Sequence, residues 1–469
     1  MEKYYITTAI DYVNGVIHVG HAFQKVVSDV LARYHRLKLG DDNVLFLTGT
    51  DEYGQNIVKS AEKNGVSPKE FADQNSKEDQ KEQDSLNISY DRFIRTTDSD
   101  HHEAAQEVWR RVEANGDIYL SEFTGLYCPS CESYYTDEDL VDGHCPFHPF
   151  LDIQKVTEEN LFFKWSKYQD FLLDLLENDP DFAKPESRKN EMIAFLKRGL
   201  QDIPVSRTSF DWGIPVPNHP GHVMYVWFDA LTNYLTGAGF TTDKEKFEKF
   251  WPADLHMLGK DNFQKHTLLW PAMLKSAGLP IQKTVYGHGF LNLNGKKISK
   301  SLGNVIYSSE WTKKFGTDAV RFYLLRYGSL EEDGDISEEK LIQAYNGELA
   351  NGLGNLIARV AALAQKHEVS APRQELAFFS EVEKSINNYR LNDALAFIWI
   401  KITEADKKIN EEKPWELEGD QVKEVLIDLS GRIQQIAFNL KPFLPETATK
   451  ILDQYKDAIK SESPLFPRI

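Results

Sequence analysis

The stretch that most limits what this chain can become runs from Tyr4 to Gly40. Tyr4-Tyr5-Ile6-Thr7-Thr8 is aromatic and β-branched throughout and predicts a strand. Asn14-Gly15 breaks it with a turn signal. A helix is predicted next, because Phe23, Val26, Val27, Val30, Leu31, Tyr34 and Leu37 recur on one face, and Gly40 is a natural residue just past its end. At the join sits His18-Val19-Gly20-His21. Two imidazoles three positions apart at a helix start face the same way. Gly20 lets a flat base or a phosphate approach the backbone, and the helix N-terminus favours negative charge. Taken alone, the same four residues also fit two surface histidines beside a turn.

A second short strand is predicted at Val44–Thr48, followed by Gly49-Thr50-Asp51-Glu52. Asp51 then lies at the carboxyl end of a strand, where open α/β sheets bind ligands, or it caps the next helix. Ser67-Pro68-Lys69-Glu70 is a capping box with proline at the first helical position. A helix over 100–114 stops at Asn115-Gly116. This order predicts a Rossmann-like parallel sheet, interrupted near Asp117 by an insertion that ends about Gly221. Met224–Trp227 and Leu255–Leu258 are predicted to resume the sheet, each followed by a helical run, 229–236 and 263–276. Helical periods over 341–366, 375–408 and 421–459 predict an antiparallel bundle.

The chain has three cysteines, Cys128, Cys131 and Cys145, which points to metal rather than disulfides. Cys128-Pro-Ser-Cys131 and Cys145-Pro-Phe-His148 form two tight pairs with thirteen residues between them, a spacing that suits a tetrahedral Cys₃His zinc site. His144 is an alternative fourth ligand; His148 repeats the spacing of the first pair. Four protein ligands leave no open position, so the zinc is structural. Net charge is −18, which argues against nonspecific nucleic-acid binding. An RNA partner then needs a local patch. Lys283 to Arg326 offers one, with eight cations (Lys283, Lys296, Lys297, Lys300, Lys313, Lys314, Arg321, Arg326) against Glu310 and Asp318. No run of eighteen apolar residues exists and the N-terminus begins a strand at once, so a cytoplasmic protein without a membrane span is expected.

Two further words stand out. Lys297-Ile298-Ser299-Lys300-Ser301 follows an Asn294-Gly295 turn; alone it fits a solvated basic loop. Trp227, Ala230, Leu231 and Tyr234 fall at helical spacing, which alone fits core packing. The His-x-Gly-His word, its surroundings and the Lys-Ile-Ser-Lys-Ser word together resemble the two signatures of class I aminoacyl-tRNA synthetases, in particular the methionyl-tRNA synthetases. Ile298 stands for the usual methionine, and Asp11 for a frequent proline or bulky residue.

The resemblance covers nearly the whole chain. It implies activation of L-methionine with ATP to methionyl-adenylate and transfer to methionine tRNA, initiator and elongator. His18, Gly20, His21, Ile298, Ser299 and Lys300 would bind ATP, with His18 and His21 on its phosphates, Lys297 and Lys300 on the leaving pyrophosphate and Asp261, in Gly259-Lys260-Asp261, on the ribose. His18, His21, Lys297 and Lys300 would be catalytic, and Mg²⁺ would accompany ATP. Asp51 would hold the methionine ammonium, and Ile10, Tyr12, Trp227, Ala230, Leu231, Tyr234 and His288 would line the side-chain pocket. Asn355, Arg359 and Trp415 would read the anticodon; without the resemblance they fit a helix–helix contact with a Trp plug.

The expected division is a first catalytic half at 1–116, the zinc-knuckle insertion at 117–221, a second catalytic half at 222–290, a signature-loop and stem-contact region at 291–340, and an α-helical anticodon-binding bundle at 341–469. With no further β-rich domain after the bundle, a monomer is expected. The alternatives are a noncatalytic tRNA-binding protein of the same fold, or a class I synthetase for another apolar amino acid. Intact signature words argue against the first, and an insertion too short for an editing domain argues against the second.

Overall fold

The computed structural model describes residues 2–130, 133–135, 137–298 and 303–469. They form two compact units. One takes the chain up to Ile17 with Leu39–Lys81 and Ser89–His288; the other takes His18–Lys38, Glu82–Ile88 and Gly289–Ile469.

The first unit is built on a seven-stranded sheet in the order Asp11–Tyr12, Val44–Asp51, Tyr4–Thr8, Leu255–Gly259, Val285–His288 and Ala183–Lys184, with Arg92–Arg95 also paired to Val44–Asp51. All its pairings are parallel; Ile6, for example, lies between Phe46 and Leu255. Parallel strands are covered on both faces and therefore read as nearly continuous apolar or β-branched runs. Tyr5, Ile6, Thr7 and Thr8 are all buried accordingly. Tyr5, Leu47, Trp109, Phe228 and Trp270 share one core. The strand beginning at Val44 continues through Asp51, because Gly49 admits the neighbouring strand: a Cβ there would run into the Ile94 carbonyl.

Two expectations about this sheet need correction. Met224–Trp227 does not resume it. Val223–Met224 pairs antiparallel with Ser206–Arg207, and the chain turns into a helix at Val226, where Phe228 and Asp229 donate to the Tyr225 carbonyl. A four-residue apolar run has no period to separate strand from helix. Ala183–Lys184, inside the stretch expected to be insertion, pairs with Val285–Tyr286 and belongs to the sheet. On either side of it in sequence, Ile118–Cys128, Ser133–Tyr135, Gln154–Phe163 and Ile203–Pro204 make a separate four-stranded antiparallel sheet. The capping box is present as expected: Glu70 N–H donates to Ser67 Oγ at 3.2 Å, and Ser67 N–H to Glu70 Oε2 at 3.0 Å.

The second unit begins with the helix Val19–Leu39. It also holds a small sheet of Lys296–Lys297, Leu291–Leu293 and Gly334–Ile336, the helices Ser308–Phe315 and Thr317–Tyr327, and the bundle. The first bundle helix runs from Glu338 to Lys366 with a π-helical stretch at Tyr345–Gly354. The other two predicted segments each break in two. Ser380–Asn387 and Leu391–Glu412 are separated at Tyr389, whose φ of 60° ends a helix, and 375–379 is not helical. Gly419–Leu440 and Pro445–Gln454 are separated before Pro445, which fits only a first turn.

The basic patch is also corrected. Arg321 is fully buried beside Asp29, Arg326 pairs with Glu348 at 3.3 Å, and Lys314 pairs with Glu338. In the first unit Lys283 pairs with Asp254 at 2.7 Å. A tally of charge along the sequence does not see which acids fold against it. No described helix is long and apolar enough to cross a membrane.

Candidate functional site

In the second unit, the helix start brings the two histidines together. Their ring centroids lie 3.9 Å apart. Gly20 N–H donates to His18 Nδ1 at 3.1 Å, and His18 N–H to His21 Nδ1 at 3.3 Å. A Cβ on Gly20 would sit 2.9 Å from His18 Cε1 and 3.6 Å from Ile298 Cδ1. The two signature words, nearly the length of a domain apart in sequence, therefore meet here. Val19 N–H donates to the Ile306 carbonyl at 2.9 Å, and Asn304 Nδ2 to the Lys297 carbonyl at 2.9 Å. Glu82 accepts from both Ser309 N–H and Ser309 Oγ. Lys297 itself is exposed, its ammonium 5.7 Å from the Phe290 ring centroid. Ser299 and Lys300 lie outside the described residues.

In the first unit, Tyr12 and Asp51 are register partners, and Val13 N–H donates to the Asp51 carbonyl at 3.1 Å. Asp51 ends its strand and does not cap the following helix, which begins after Gly54. The adjacent Glu52 is fully buried. It accepts from Arg95 Nε at 2.6 Å and the second guanidinium nitrogen at 2.9 Å, from Thr97 at 2.6 Å and from Thr50 at 2.8 Å. One acid of the pair is thus a structural anchor, a distinction the sequence does not draw.

Ile10 and Trp227 are half-buried against the large core that holds Leu231 and Tyr234. Ala230 is buried on the same helix as Trp227. Tyr12 packs on a smaller cluster with Val13 and Ile57; Trp212 touches both clusters and donates to the Glu52 carbonyl at 2.7 Å. His288 ends its strand, and its carbonyl accepts from Lys260 N–H at 3.0 Å, tying it to the Gly259–Asp261 turn; Asp261 is exposed.

Sequence reasoning missed His266. Its Nδ1–H donates to the Asn262 carbonyl at 2.8 Å, which leaves Nε2 to accept from Tyr234 Oη at 2.6 Å. The Trp227 and His266 rings stand edge to face at 6.4 Å. Burial lowers the His266 pKa to about 4, so the ring is neutral near pH 7, and burial also raises that of the Tyr234 hydroxyl. The only local signal was a histidine on an apolar helix face, which usually means packing. Arg207 was likewise unread. It is buried, with its guanidinium 4.5, 4.7 and 5.6 Å from the Tyr127, Tyr134 and Tyr225 rings.

In the antiparallel sheet, Cys128, Cys145 and His148 bring their ligand atoms within 4.8 Å of one another, each sulfur 3.8 Å from His148 Nδ1. Two buried thiols and an imidazole suit a soft or borderline divalent metal. Cys131 lies outside the described residues. His144 instead faces the Leu151 carbonyl at 3.2 Å.

In the bundle, Asn355 opens its helix and Arg359 lies one turn on. Arg359 pairs with Asp406 at 2.9 Å, donates to Asn410 Oδ1 at 2.8 Å, and lies 5.9 Å from the ring centroid of Trp415. Trp415 is 45% exposed, so part of the indole faces solvent.

The family model for class I tRNA synthetases (M) matches residues 4–151 and 151–361. The methionine–tRNA ligase of Caldanaerobacter subterraneus subsp. tengcongensis is 43% identical over 97% of this chain and 74% of its own length. That of Mycobacterium tuberculosis is 42% identical over 97% of this chain and 92% of its own. Among solved structures, Mycobacterium tuberculosis methionyl-tRNA synthetase in complex with methionyl-adenylate superposes with a TM-score of 0.94 at 39% identity, covering both chains fully. Its apo form gives 0.85 at 36% identity, over 100% of this chain and 98% of the other.

Proposed function

The chain belongs to the methionyl-tRNA synthetases of class I; it activates L-methionine with ATP and charges tRNA with it, and we propose how its residues divide that work. The observation that carries the assignment of roles is the meeting of Gly20 and Ile298 beside the paired rings of His18 and His21. A bare backbone at a helix N-terminus, flanked by two imidazoles and by a loop rich in lysine, is suited to a triphosphate. His18 and His21 contact the phosphates, and Lys297 and Lys300 stabilise the charge that grows on the leaving pyrophosphate. Asp261 holds the ribose.

Asp51 pairs with the methionine ammonium. Trp227, Ala230, Leu231, Tyr234, Ile10, Tyr12 and His288 surround the thioether, which gains from aromatic contact. The Tyr234–His266 bond supports this reading by fixing the orientation of the Tyr234 ring. Asn355, Arg359 and Trp415 read and stack the anticodon. Arg359 is held in place by Asp406 and Asn410 before any RNA binds, which lowers the cost of ordering it.

Zn²⁺ would be held by Cys128, Cys131, Cys145 and His148 and would supply a fixed fold for the knuckle. Mg²⁺ accompanies ATP. The enzyme acts as a cytoplasmic monomer. Methionine-dependent ATP–pyrophosphate exchange, run with each of the twenty amino acids, tests the reading. A noncatalytic RNA binder would show no exchange, and faster exchange with leucine, isoleucine or valine would name a different amino acid. Sedimentation at twice the chain mass would refute the monomer.

A further inference from the structure

Arg321 lies in the helix Thr317–Tyr327, outside both signature words, and none of it is exposed. Its guanidinium meets Asp29 Oδ2 at 2.7 Å, and donates to the Leu86 carbonyl at 3.1 Å, the Phe443 carbonyl at 2.9 Å and the Pro442 carbonyl at 3.1 Å. Asp29 belongs to the helix that begins at Val19, and Pro442–Phe443 is the turn between the last two bundle helices. One turn earlier on the same helix, buried Asp318 accepts from Thr447 N–H at 2.6 Å, so the 442–447 segment is held from both sides. Asp29 is held a second time by Arg33 Nε at 2.7 Å, and Arg33 donates to the Asn87 carbonyl at 2.6 Å.

A buried ion pair is a poor adhesive, since apolar residues of similar volume often stabilise as well or better. What the planar guanidinium supplies is register, because its donors point in fixed directions and four acceptors from three segments must match them. Asp29 is eight residues past His21, about 12 Å along a rigid helix. Fixing Asp29 along the axis therefore fixes the two histidines at the far end.

We propose that Arg321 is a positioning residue for adenylation: through Asp29 it sets the axial position of the helix that presents His18 and His21, and it references that position to the bundle turn Pro442–Phe443. This rests on the reading of His18 and His21 as the nucleotide contacts. Arg321→Lys keeps the charge but cannot match four acceptors. Asp29→Asn keeps the shape and weakens the pairing.

Both variants are made in the full chain, and active sites are counted by the burst of adenylate formation. Per active site, pyrophosphate exchange should fall about tenfold or more with a raised KM for ATP, because small misplacements of reacting groups carry large rate penalties. The KM for methionine should stay unchanged, since Asp29 lies on the helix of His21, and the two histidines are assigned to ATP and not to the amino acid. The double variant should be no worse than the weaker single one. A merely structural role would lower the number of active sites and leave both KM values alone, and that outcome overturns the proposal. Should Arg321→Lys fail to fold, Asp29→Asn alone decides between these outcomes. Wild-type exchange with unaltered variants removes this proposal only; absence of wild-type exchange with methionine removes the underlying reading.

Discussion

Ile298 Cδ1 lies 3.6 Å from the point where a Cβ on Gly20 would sit, an ordinary van der Waals distance. The contact explains why this word tolerates isoleucine in place of methionine: the position is apolar, 5% exposed, and needs bulk rather than sulfur. Gly20 is held at its small size by the His18 ring more than by Ile298. A Cβ would approach His18 Cε1 to 2.9 Å and Nδ1 to 3.0 Å. Gly20→Ala should therefore displace the His18 ring while the fold stays intact, since Gly20 sits in ordinary helical geometry and alanine favours a helix. The expected result is exchange slowed about a hundredfold with an unchanged melting temperature. Normal exchange would mean that the His18 ring is not placed for catalysis.

The buried pair Tyr234–His266 gives a pH signature. Burial lowers the pKa of His266 from 6.5 to about 4. The unfolded chain then takes up the proton before the folded one does. Stability from this group is complete above pH 6.5 and is lost as the pH falls toward 4, by up to about 1.4 kcal/mol per pH unit. His266→Asn should flatten the fall in urea midpoint over that window. An unchanged slope would show that other groups account for the acid sensitivity.

How far each element was legible follows from where its cause lies. The strand Tyr4–Thr8, the helix ending before Gly40 and the Ser67–Glu70 box have causes within a few neighbouring residues, and they stand where expected. Val226 and Trp227 became helix because Tyr225 is held by Val205, whose carbonyl accepts its N–H at 2.8 Å, a long-range bond no local pattern carries. Ala183–Lys184 is two residues long, too short for any period. Trp212, Arg207 and His266 meet Glu52, Tyr225 and Tyr234 across long sequence separations or through a side chain's tautomer, so their contacts depend on the fold itself. The meeting of Cys128, Cys145 and His148 was legible because two tight pairs at such a spacing are the pattern a shared metal would impose.

Metal removal offers a third test. Purified protein should hold about one zinc ion per chain. Cys145→Ser should lose it and raise hydrogen exchange in the strands Ile118–Cys128 and Gln154–Phe163, because the ligands are deprotonated and ordered only together. Tyr127 and Tyr134, which flank the knuckle, also enclose Arg207, so exchange activity should fall with the metal. Protein that is metal-free as purified yet fully active would reject the site.

The last prediction separates the two reactions. Trp415 is half-exposed beside Arg359, and Arg359 is fixed by Asp406 and Asn410. A base stacked on the indole would bury the remaining face and would lie over a guanidinium already in position. Stacking of this kind is worth about 1–3 kcal/mol. Trp415→Ala should therefore raise the KM for tRNA by about one to two orders of magnitude, while ATP–pyrophosphate exchange, which needs no tRNA, keeps its wild-type rate. Asp406→Ala should act in the same direction by freeing Arg359, and because both act on one base the double variant should lose less than the sum of the two. Equal losses in exchange and aminoacylation would instead mean that the indole supports the bundle and does not meet RNA.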